Sequence, residues 1–249
     1  MDTAADALDY DRMDHREVNR RFVDDFLAVT PDLSDVLDLG TGTAQIPIVL
    51  CRSAADARVV AIDLSGEMLT VAKTNIEVAS LRERIMLEKI DAKGLPYPTG
   101  RFSAVISNSI VHHIPEPAPA LSEAIRVVRH GGAIFIRDLA RPDDEPAVQA
   151  LVLQYTQGAN EHQRKLFEDS LHAALTVEEM QEIVRDLGFG PETVAMTSDR
   201  PFSQHTSCTR AGMRPIFSAF PFPSAGSFQR SVCEPSLPDC SPGWSGLPV

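Results

Sequence analysis

Hydrophobic positions along the chain alternate between short continuous runs and helical spacings. Apolar runs of strand length occupy 35–39, 58–62, 85–90, 104–107 and 133–137. Patterns with apolar residues three or four positions apart occupy 14–29, 44–54, 66–79, 119–129 and 176–187. Strands and helices that alternate in this order predict an α/β fold whose parallel sheet carries helices on both faces. Gly131 and Gly132 are expected to end the helix that precedes the fifth strand.

Two further strands are predicted after residue 190. The segments 193–197 and 204–209 have strand patterns, and a short turn at 198–202 separates them. Together they would form an antiparallel hairpin at one edge of the sheet. The sequence therefore predicts a Rossmann-like, doubly wound, seven-stranded sheet that is mostly parallel and ends in a C-terminal antiparallel hairpin.

Two segments fall outside this alternation. Apolar groups recur along 143–175 at spacings that predict one or two amphipathic helices over the carboxyl edge of the sheet. The segment 211–249 holds seven of the eighteen prolines and has no sustained period, which predicts a poorly ordered tail. We therefore expect one domain over residues 1–210, with a helical cover at 143–175, followed by the tail.

Composition narrows the classes of partner. The formal net charge of −12 argues against a nucleic-acid backbone or an anionic membrane as the partner. No apolar run is long enough to span a bilayer, and the acidic N-terminus lacks the pattern of a secretory signal. The four cysteines match no common zinc spacing, and no other cluster predicts a metal site. These features predict a cytoplasmic protein that acts on a small molecule and binds no metal.

The most informative motif follows the first predicted strand. Residues 36–44 read Val-Leu-Asp-Leu-Gly-Thr-Gly-Thr-Ala, so the carboxylate of Asp38 precedes a turn that contains Gly40 and Gly42. A strand, a glycine turn and a helix are typical of nucleotide binding, but Gln45 occupies the position of the third glycine in a dinucleotide fingerprint. The negative charge of Asp38 would repel a pyrophosphate. A ligand that carries an ammonium and a sulfonium would instead be attracted.

Polar or small residues also follow the next three predicted strands. Asp63 lies 23 residues after Gly40, where a carboxylate can accept hydrogen bonds from both hydroxyls of a ribose. The third strand leads into Asp91-Ala92, and the fourth leads into Asn108. Because ligands of open α/β sheets bind beyond the carboxyl ends of the strands, these residues are expected to line one pocket.

Taken together, these motifs resemble those of class I S-adenosylmethionine-dependent methyltransferases of the small-molecule type. The resemblance covers roughly residues 10–210. The segments that carry it are 36–44, 60–69, 91–92, 94–97, 104–114 and 124–136. It implies a methyl group transferred from S-adenosylmethionine to a small-molecule acceptor by in-line displacement.

The resemblance also implies a role for each matching residue. Asp38 and the backbone of Gly40 and Gly42 would cradle the methionine part of the cofactor, and Asn108 would approach its methionine end. Asp63 would hold the ribose. The adenine would lie against Leu64, Met68, Asp91 and Ala92. Structural alternatives remain open, because Asp63 could cap the following helix, Asp91 could form a turn and Met68 could be plain core.

His112 is the candidate general base for an acceptor that must lose a proton. It follows the fourth strand at the mouth where the acceptor should lie, beside His113. The alternative is that the histidine pair packs or fixes the loop through a hydrogen bond. Asp138 and Arg141, after the fifth strand, could orient a polar acceptor or could pair with each other.

Two other functions stay in competition with methyl transfer. A nicotinamide-dependent oxidoreductase would share the glycine turn, although Asp38, Gln45 and the lack of a Tyr-x-x-x-Lys pair count against it. A non-catalytic module could bind the same cofactor without turnover. The cover, the N-terminal helix around 10–26 and the residues after Asn108 would select the acceptor. Neither the acceptor atom nor the oligomeric state follows from the sequence.

Overall fold

The computed structural model describes residues 3–13, 15–30 and 32–196, together with the backbone of 214–219. Its α-helices are α1 Ala4–Arg12, α2 Arg16–Val29, α3 Gln45–Ser53, α4 Gly66–Val78, α5 Ala118–Val127, α6 Glu145–Tyr155, α7 Glu161–Ala173 and α8 Val177–Asp186. Its strands are β1 Val36–Leu39, β2 Val59–Asp63, β3 Ile85–Lys89, β4 Phe102–Asn108, β5 Val128–Asp138, β6 Val194–Met196 and β7 Arg214–Ala219. Single-turn 3-10 helices form at Val111–His113 and Pro191–Thr193.

Five adjacent parallel strands, β3 to β5 in spatial order, form the main part of the sheet. The strand order is β3-β2-β1-β4-β5-β7-β6, so β1 lies between β2 and β4 and the direction of winding reverses there. In this register Asp38 stands between Ala61 and Ile106. Ligands of open α/β sheets bind at such a reversal, beyond the carboxyl ends of the strands. The predicted α/β architecture with a parallel sheet is confirmed, and the reversal places the glycine turn at its centre.

Apolar layers cover both faces of the sheet, as expected for strands that read as near-continuous hydrophobic runs. On one face α2 packs Phe22 and Phe26 around Phe135 of β5. On the other face α5 and α8 pack Leu121 and Val184 over the sheet. These two layers hold the strands rigidly, so the loops at their carboxyl ends have defined positions.

The two strands at the far edge differ from the prediction. The segment 193–197 does form a strand, β6, but β6 pairs in parallel with β7, and β7 pairs in parallel with β5. The expected partner strand, 204–209, and its turn at 198–202 lie outside the described residues. An antiparallel pair needs only a tight turn, whereas two parallel strands need a crossover connection of about a dozen residues or more. Residues 197–213 separate β6 from β7 along the chain, which is a sufficient length for such a connection. The strand β7 also lies within the segment predicted as a tail, of which 220–249 is outside the described residues.

The pair Gly131-Gly132 was expected to end a helix and instead lies inside β5. The preceding helix, α5, already ends at Val127. At Gly132 the backbone approaches β4 so closely that an added Cβ would lie 2.6 Å from the Ser103 carbonyl oxygen. The register between β4 and β5 shifts in the same region. These glycines therefore allow a close approach of two strands at an irregularity rather than a helix stop.

The first helix, α1, was not predicted from the hydrophobic pattern. Thr3 caps it by accepting a hydrogen bond from the Asp6 N–H at 3.2 Å. Of its nine residues only Ala7 is buried, so α1 has no apolar face that a periodicity search could detect. In the described part of the chain, no helix combines the length and the apolar composition that a membrane span requires.

Candidate functional site

The glycine turn after β1 requires glycine for steric reasons. Gly40 has a φ of +69° and Gly42 a φ of +56°, a region that residues with a Cβ seldom adopt. A Cβ on Gly40 would lie 2.3 Å from the Ile110 side chain. The turn therefore exposes its backbone to the space beyond the sheet while the chain enters α3.

Asp63 at the end of β2 is tied to this turn. Its carboxylate accepts a hydrogen bond from the Gly42 N–H and another from the Ser65 N–H, both at 2.8 Å. The cap of α4 is not Asp63 but Ser65, whose hydroxyl accepts from the Met68 N–H at 3.3 Å. Asp63 thus positions the glycine turn, and each carboxylate oxygen retains a lone pair for a further donor.

Asp38 is buried at the centre of the site, with 2% of its surface exposed. Burial raises the pKa of its carboxyl group to about 7; the nearby Thr41 hydroxyl, although it does not reach hydrogen-bond geometry, lowers it in part, and the charge of Asp63 raises it further. Three buried oxygens here have no hydrogen-bond partner within the described residues: Asp38 Oδ2, Thr41 Oγ1 and Thr43 Oγ1. Such clustering is unusual, because buried polar atoms are normally hydrogen-bonded.

These three residues line a small recess that is partly open to solvent. Its remaining walls are formed by the glycine turn, the N-terminal helices, the start of α3 and the end of β4, through Tyr10, Asn19, Gly40, Gln45, Ile46 and Asn108. The structure therefore brings the predicted residues Asp38, Gly40 and Asn108 together in one recess. Gly42 and Asp63 adjoin it through the hydrogen bond described above.

Tyr10 of α1 is a site residue that the sequence did not indicate as a ligand contact. Its ring lies 3.8 Å from the position of a Cβ on Gly42. Burial raises the pKa of its phenol to about 12, and the charges of Asp63, Asp38 and Asp11 raise it further, in that order. Three carboxylates thus create a negative potential around this ring, a setting that attracts a cation.

The predicted adenine contacts do not line the recess. Leu64 is 62% exposed, which leaves an apolar side chain at the surface beside Asp63. Met68 and Ala92 are buried. Asp91 accepts a hydrogen bond from the Lys93 N–H at 2.9 Å and pairs with the Lys93 ammonium at 3.0 Å, so its pKa is held below the ordinary value. The Asp91 carboxylate therefore takes part in a turn with Lys93.

His112 and Asp138 form a buried pair at the carboxyl ends of β4 and β5. His112 Nδ1 lies 2.5 Å from Asp138 Oδ1. Asp138 also accepts from the Val111 N–H at 2.6 Å and the Leu139 N–H at 2.7 Å, so the carboxylate is firmly held. With Nδ1 directed at a carboxylate, a neutral His112 carries its proton there, and Nε2 is left as the basic atom. Nε2 makes no hydrogen bond to the residues that the structure describes.

His113 and Arg141 lie near the His112–Asp138 pair and have contacts of their own. The ring of His113 lies 4.0 Å from that of His112, and burial, with the neighbouring His112, lowers the pKa of His113 to about 4. Arg141 does not pair with Asp138; its guanidinium instead forms an ion pair with Glu179 of α8. The alternative in which Asp138 and Arg141 pair with each other is therefore wrong.

Two helices, α6 and α7, occupy the predicted cover segment. Together with Leu139 they form a small apolar cluster through Val148, Val152 and Leu171. The ligand atoms of Glu145, Glu168 and His172 lie within 4.8 Å of one another on these helices. The Gln149 amide donates to both of these carboxylates, so the grouping is accounted for by polar contacts at the surface.

Comparisons with known proteins agree with this arrangement. Residues 37–136 match the family model described as a methyltransferase domain. The 27-O-demethylrifamycin SV methyltransferase of Amycolatopsis mediterranei is 28% identical over 72% of this chain and 61% of its own length. A demethylmenaquinone methyltransferase of Thermus thermophilus is 33% identical over 49% of this chain and 54% of its own. The chain thus spans less than two thirds of these curated relatives.

A solved structure shares the fold. The S-adenosylmethionine-dependent methyltransferase of Aquifex aeolicus superposes with a TM-score of 0.57, at 18% identity, over 76% of this chain and 89% of the other. The parallel sheet and the glycine turn at its reversal define the class of Rossmann-like methyltransferase folds. Residues 37–136, the central part of the chain, match the methyltransferase-domain family within this fold.

Proposed function

We propose that this chain binds S-adenosylmethionine and transfers its methyl group to a small-molecule acceptor by in-line displacement. The observation that carries the proposal is the recess with three buried oxygens that lack partners within the described residues, one of them on the Asp38 carboxylate. A ligand that supplies hydrogen-bond donors and positive charge satisfies these oxygens. An ammonium group meets both requirements, whereas a pyrophosphate, which only accepts and is negative, meets neither.

The surrounding residues fit the two halves of this cofactor. Asp38 and the backbone of Gly40 and Gly42 would hold the methionine half, with Asn108 near its end. Asp63 would accept the ribose hydroxyls with the lone pairs that Gly42 and Ser65 leave unused. The adenine would lie outside the recess, against Leu64, Met68, Asp91 and Ala92. When bound, the cofactor supplies a methyl group already activated on a sulfonium, so the protein's main contribution is to align the acceptor.

The cover helices are the elements that we expect to select the acceptor. The named relatives act on 27-O-demethylrifamycin SV and on demethylmenaquinone, which supports a small-molecule acceptor here. Helix α7 contacts the single-turn helix that carries His112, so the cover reaches the side of the site where the acceptor would lie. We propose that the methyltransferase domain extends over residues 1–210 and that the cover at 143–175 belongs to it.

His112 is the proposed general base. Asp138 orients its ring and stabilises the positive charge that the ring acquires when Nε2 takes a proton. The same hydrogen bond also fixes the loop after β4, so orientation and loop stability come from one contact. His112 would therefore matter only for an acceptor whose attacking atom carries a proton.

Isothermal titration tests the cofactor. We expect heat of binding with S-adenosylmethionine and with S-adenosylhomocysteine, and none with NAD. Absence of heat with both sulfur compounds would reject the proposal, and heat with NAD alone would favour an oxidoreductase. Binding of both sulfur compounds without methyl transfer to any of a panel of phenols, quinones and amines would favour a non-catalytic module.

Single-turnover rates at saturating cofactor test the base. With an acceptor that must lose a proton, His112→Ala should slow transfer by about 10²-fold or more. His162→Ala, which removes an exposed histidine from α7, is the matched control and should retain the wild-type rate. A wild-type rate in the His112 variant would leave the loop-fixing contact with Asp138 as its only role.

A further inference from the structure

Four helices meet in a polar cluster beside the glycine turn. Asp11 of α1 accepts hydrogen bonds from Gln45 at 3.1 Å and from Asn75 of α4 at 2.8 Å. The same Asn75 amide donates to the Thr43 carbonyl oxygen at 3.0 Å, and Gln45 accepts from Asn19 of α2 at 3.1 Å. Every side chain in this cluster therefore bonds across helices, and one bond ends on the backbone of the cofactor loop.

We propose that this cluster is a clasp that sets cofactor affinity, with Asp11 as its positioning residue. The inference rests on the proposed function and deepens it. Asp11 holds α1 over the recess and thereby places the neighbouring Tyr10 in its wall. Gln45, at the position of the third glycine of a dinucleotide fingerprint, is the residue that ties α1 and α2 to the start of α3.

The weak apolar packing of α1 gives the clasp its importance. Ala7 is the only fully buried residue among the nine of this helix, and Tyr10 is half-buried in the wall of the recess, so little apolar area holds α1 in place. Leu8 and Asp9 on the same helix are exposed. A side-chain hydrogen bond contributes more to stability when one partner is charged, as Asp11 is. The bonds from Gln45 and Asn75 to Asp11 are therefore a large share of what positions this wall of the site.

Two matched variants on one helix test the proposal. Asp11→Ala removes the acceptor of the clasp, whereas Asp9→Ala removes an equal, exposed charge whose ion pair is with Arg12 at 3.6 Å. Titration with S-adenosylhomocysteine should show at least tenfold weaker binding for Asp11→Ala and unchanged binding for Asp9→Ala. Hydrogen exchange without ligand should show faster exchange of amides 4–12 in Asp11→Ala only.

A third variant acts from outside the recess. Asn75→Ala changes no residue of α1 and no proposed cofactor contact but removes the donor to Asp11 and to the Thr43 carbonyl oxygen. It should also weaken binding, and the Asp11→Ala/Asn75→Ala double variant should lose little more than the single variants, because both break one network. Equal affinity of the Asp11 and Asp9 variants, or fully additive losses in the double variant, would overturn the clasp. Failure of the wild-type protein to bind S-adenosylhomocysteine would instead reject the proposed function, and the exchange result would still report whether the clasp holds α1.

Discussion

Replacing Asp38 by asparagine should separate the stability of the protein from its affinity for a cationic ligand. Asp38 is buried and its Oδ2 has no hydrogen-bond partner within the described residues. Burial raises its carboxyl pKa from the ordinary 3.8 to about 7. A raised pKa means that the folded protein favours the neutral acid. The charged form that a cationic cofactor requires therefore destabilises the unliganded protein.

The size of this effect follows from the two pKa values. The difference between 3.8 and about 7, at about 1.4 kcal/mol per pH unit, corresponds to on the order of 4 kcal/mol. Because the folded pKa is raised, the stability contribution is fully present below about pH 4 and is lost as the pH rises to about 7. Between pH 5.5 and pH 8 the loss amounts to about 2 kcal/mol. Asp38→Asn removes this pH dependence, since an amide does not titrate.

Urea unfolding at pH 5.5 and pH 8, without ligand, measures the prediction. The stability of Asp38→Asn relative to wild type should increase by about 2 kcal/mol between the two pH values. Asp9→Asn, an exposed aspartate on α1, should show no comparable change. At pH 8 the same Asp38 variant should bind S-adenosylhomocysteine at least tenfold more weakly, about 1.4 kcal/mol. The reasoning is refuted if the relative stability is independent of pH, or if the variant binds as tightly as wild type.

Three further predictions concern the turn, the ribose contact and the pH dependence of binding. In thermal unfolding, Gly40→Ala should destabilise the protein by about 2 kcal/mol or more, because φ is +69° and the new Cβ meets Ile110. The control Gly94→Ala, whose Cβ would have no atom within 4 Å, should leave the stability nearly unchanged. Asp63→Ala should weaken S-adenosylhomocysteine binding at least tenfold, about 1.4 kcal/mol, as measured by titration. It should also lower the free energy of unfolding in urea by about 1–3 kcal/mol, because the Gly42 N–H loses its acceptor. Wild-type affinity would exclude Asp63 from the site. Affinity for the same ligand should fall as the pH drops below about 7, because binding to the protonated Asp38 must release a proton; a flat profile between pH 5.5 and pH 8 would contradict this.

The parallel strands and most helices could be predicted from local patterns. The runs around β1, β2, β4 and β5 are nearly continuous and apolar because those strands are covered on both faces. Each of these strands can therefore be recognised from a few consecutive residues. The glycine turn could also be predicted from local sequence, since a positive φ at Gly40 favours glycine whatever surrounds it. Asp38, Gly40 and Asn108 lie at or just beyond the carboxyl ends of strands, and the parallel topology alone brings those ends to one edge.

Other features depended on contacts between distant segments. Asp138 meets His112 although 26 positions separate them, and Asp11 meets Asn75 across 64. No period in the sequence encodes such pairs, because hydrogen bonds between side chains depend on how the helices and strands pack. The parallel pairing of β6 with β7 belongs to the same group, since the hydrophobic alternation of a strand is identical in either direction.

The sequence by itself determined the class of fold and the kind of ligand, because periodicity, glycine stereochemistry and the charge of Asp38 are local properties. The tertiary structure decided how that charge behaves. Only packing buries Asp38, leaves its Oδ2 without a hydrogen-bond partner among the described residues, and places the carboxylates of Asp11 and Asp63 around Tyr10. Burial and the distances between charges set both the pKa of Asp38 and the attraction for a cation, and those quantities exist only once the chain has folded.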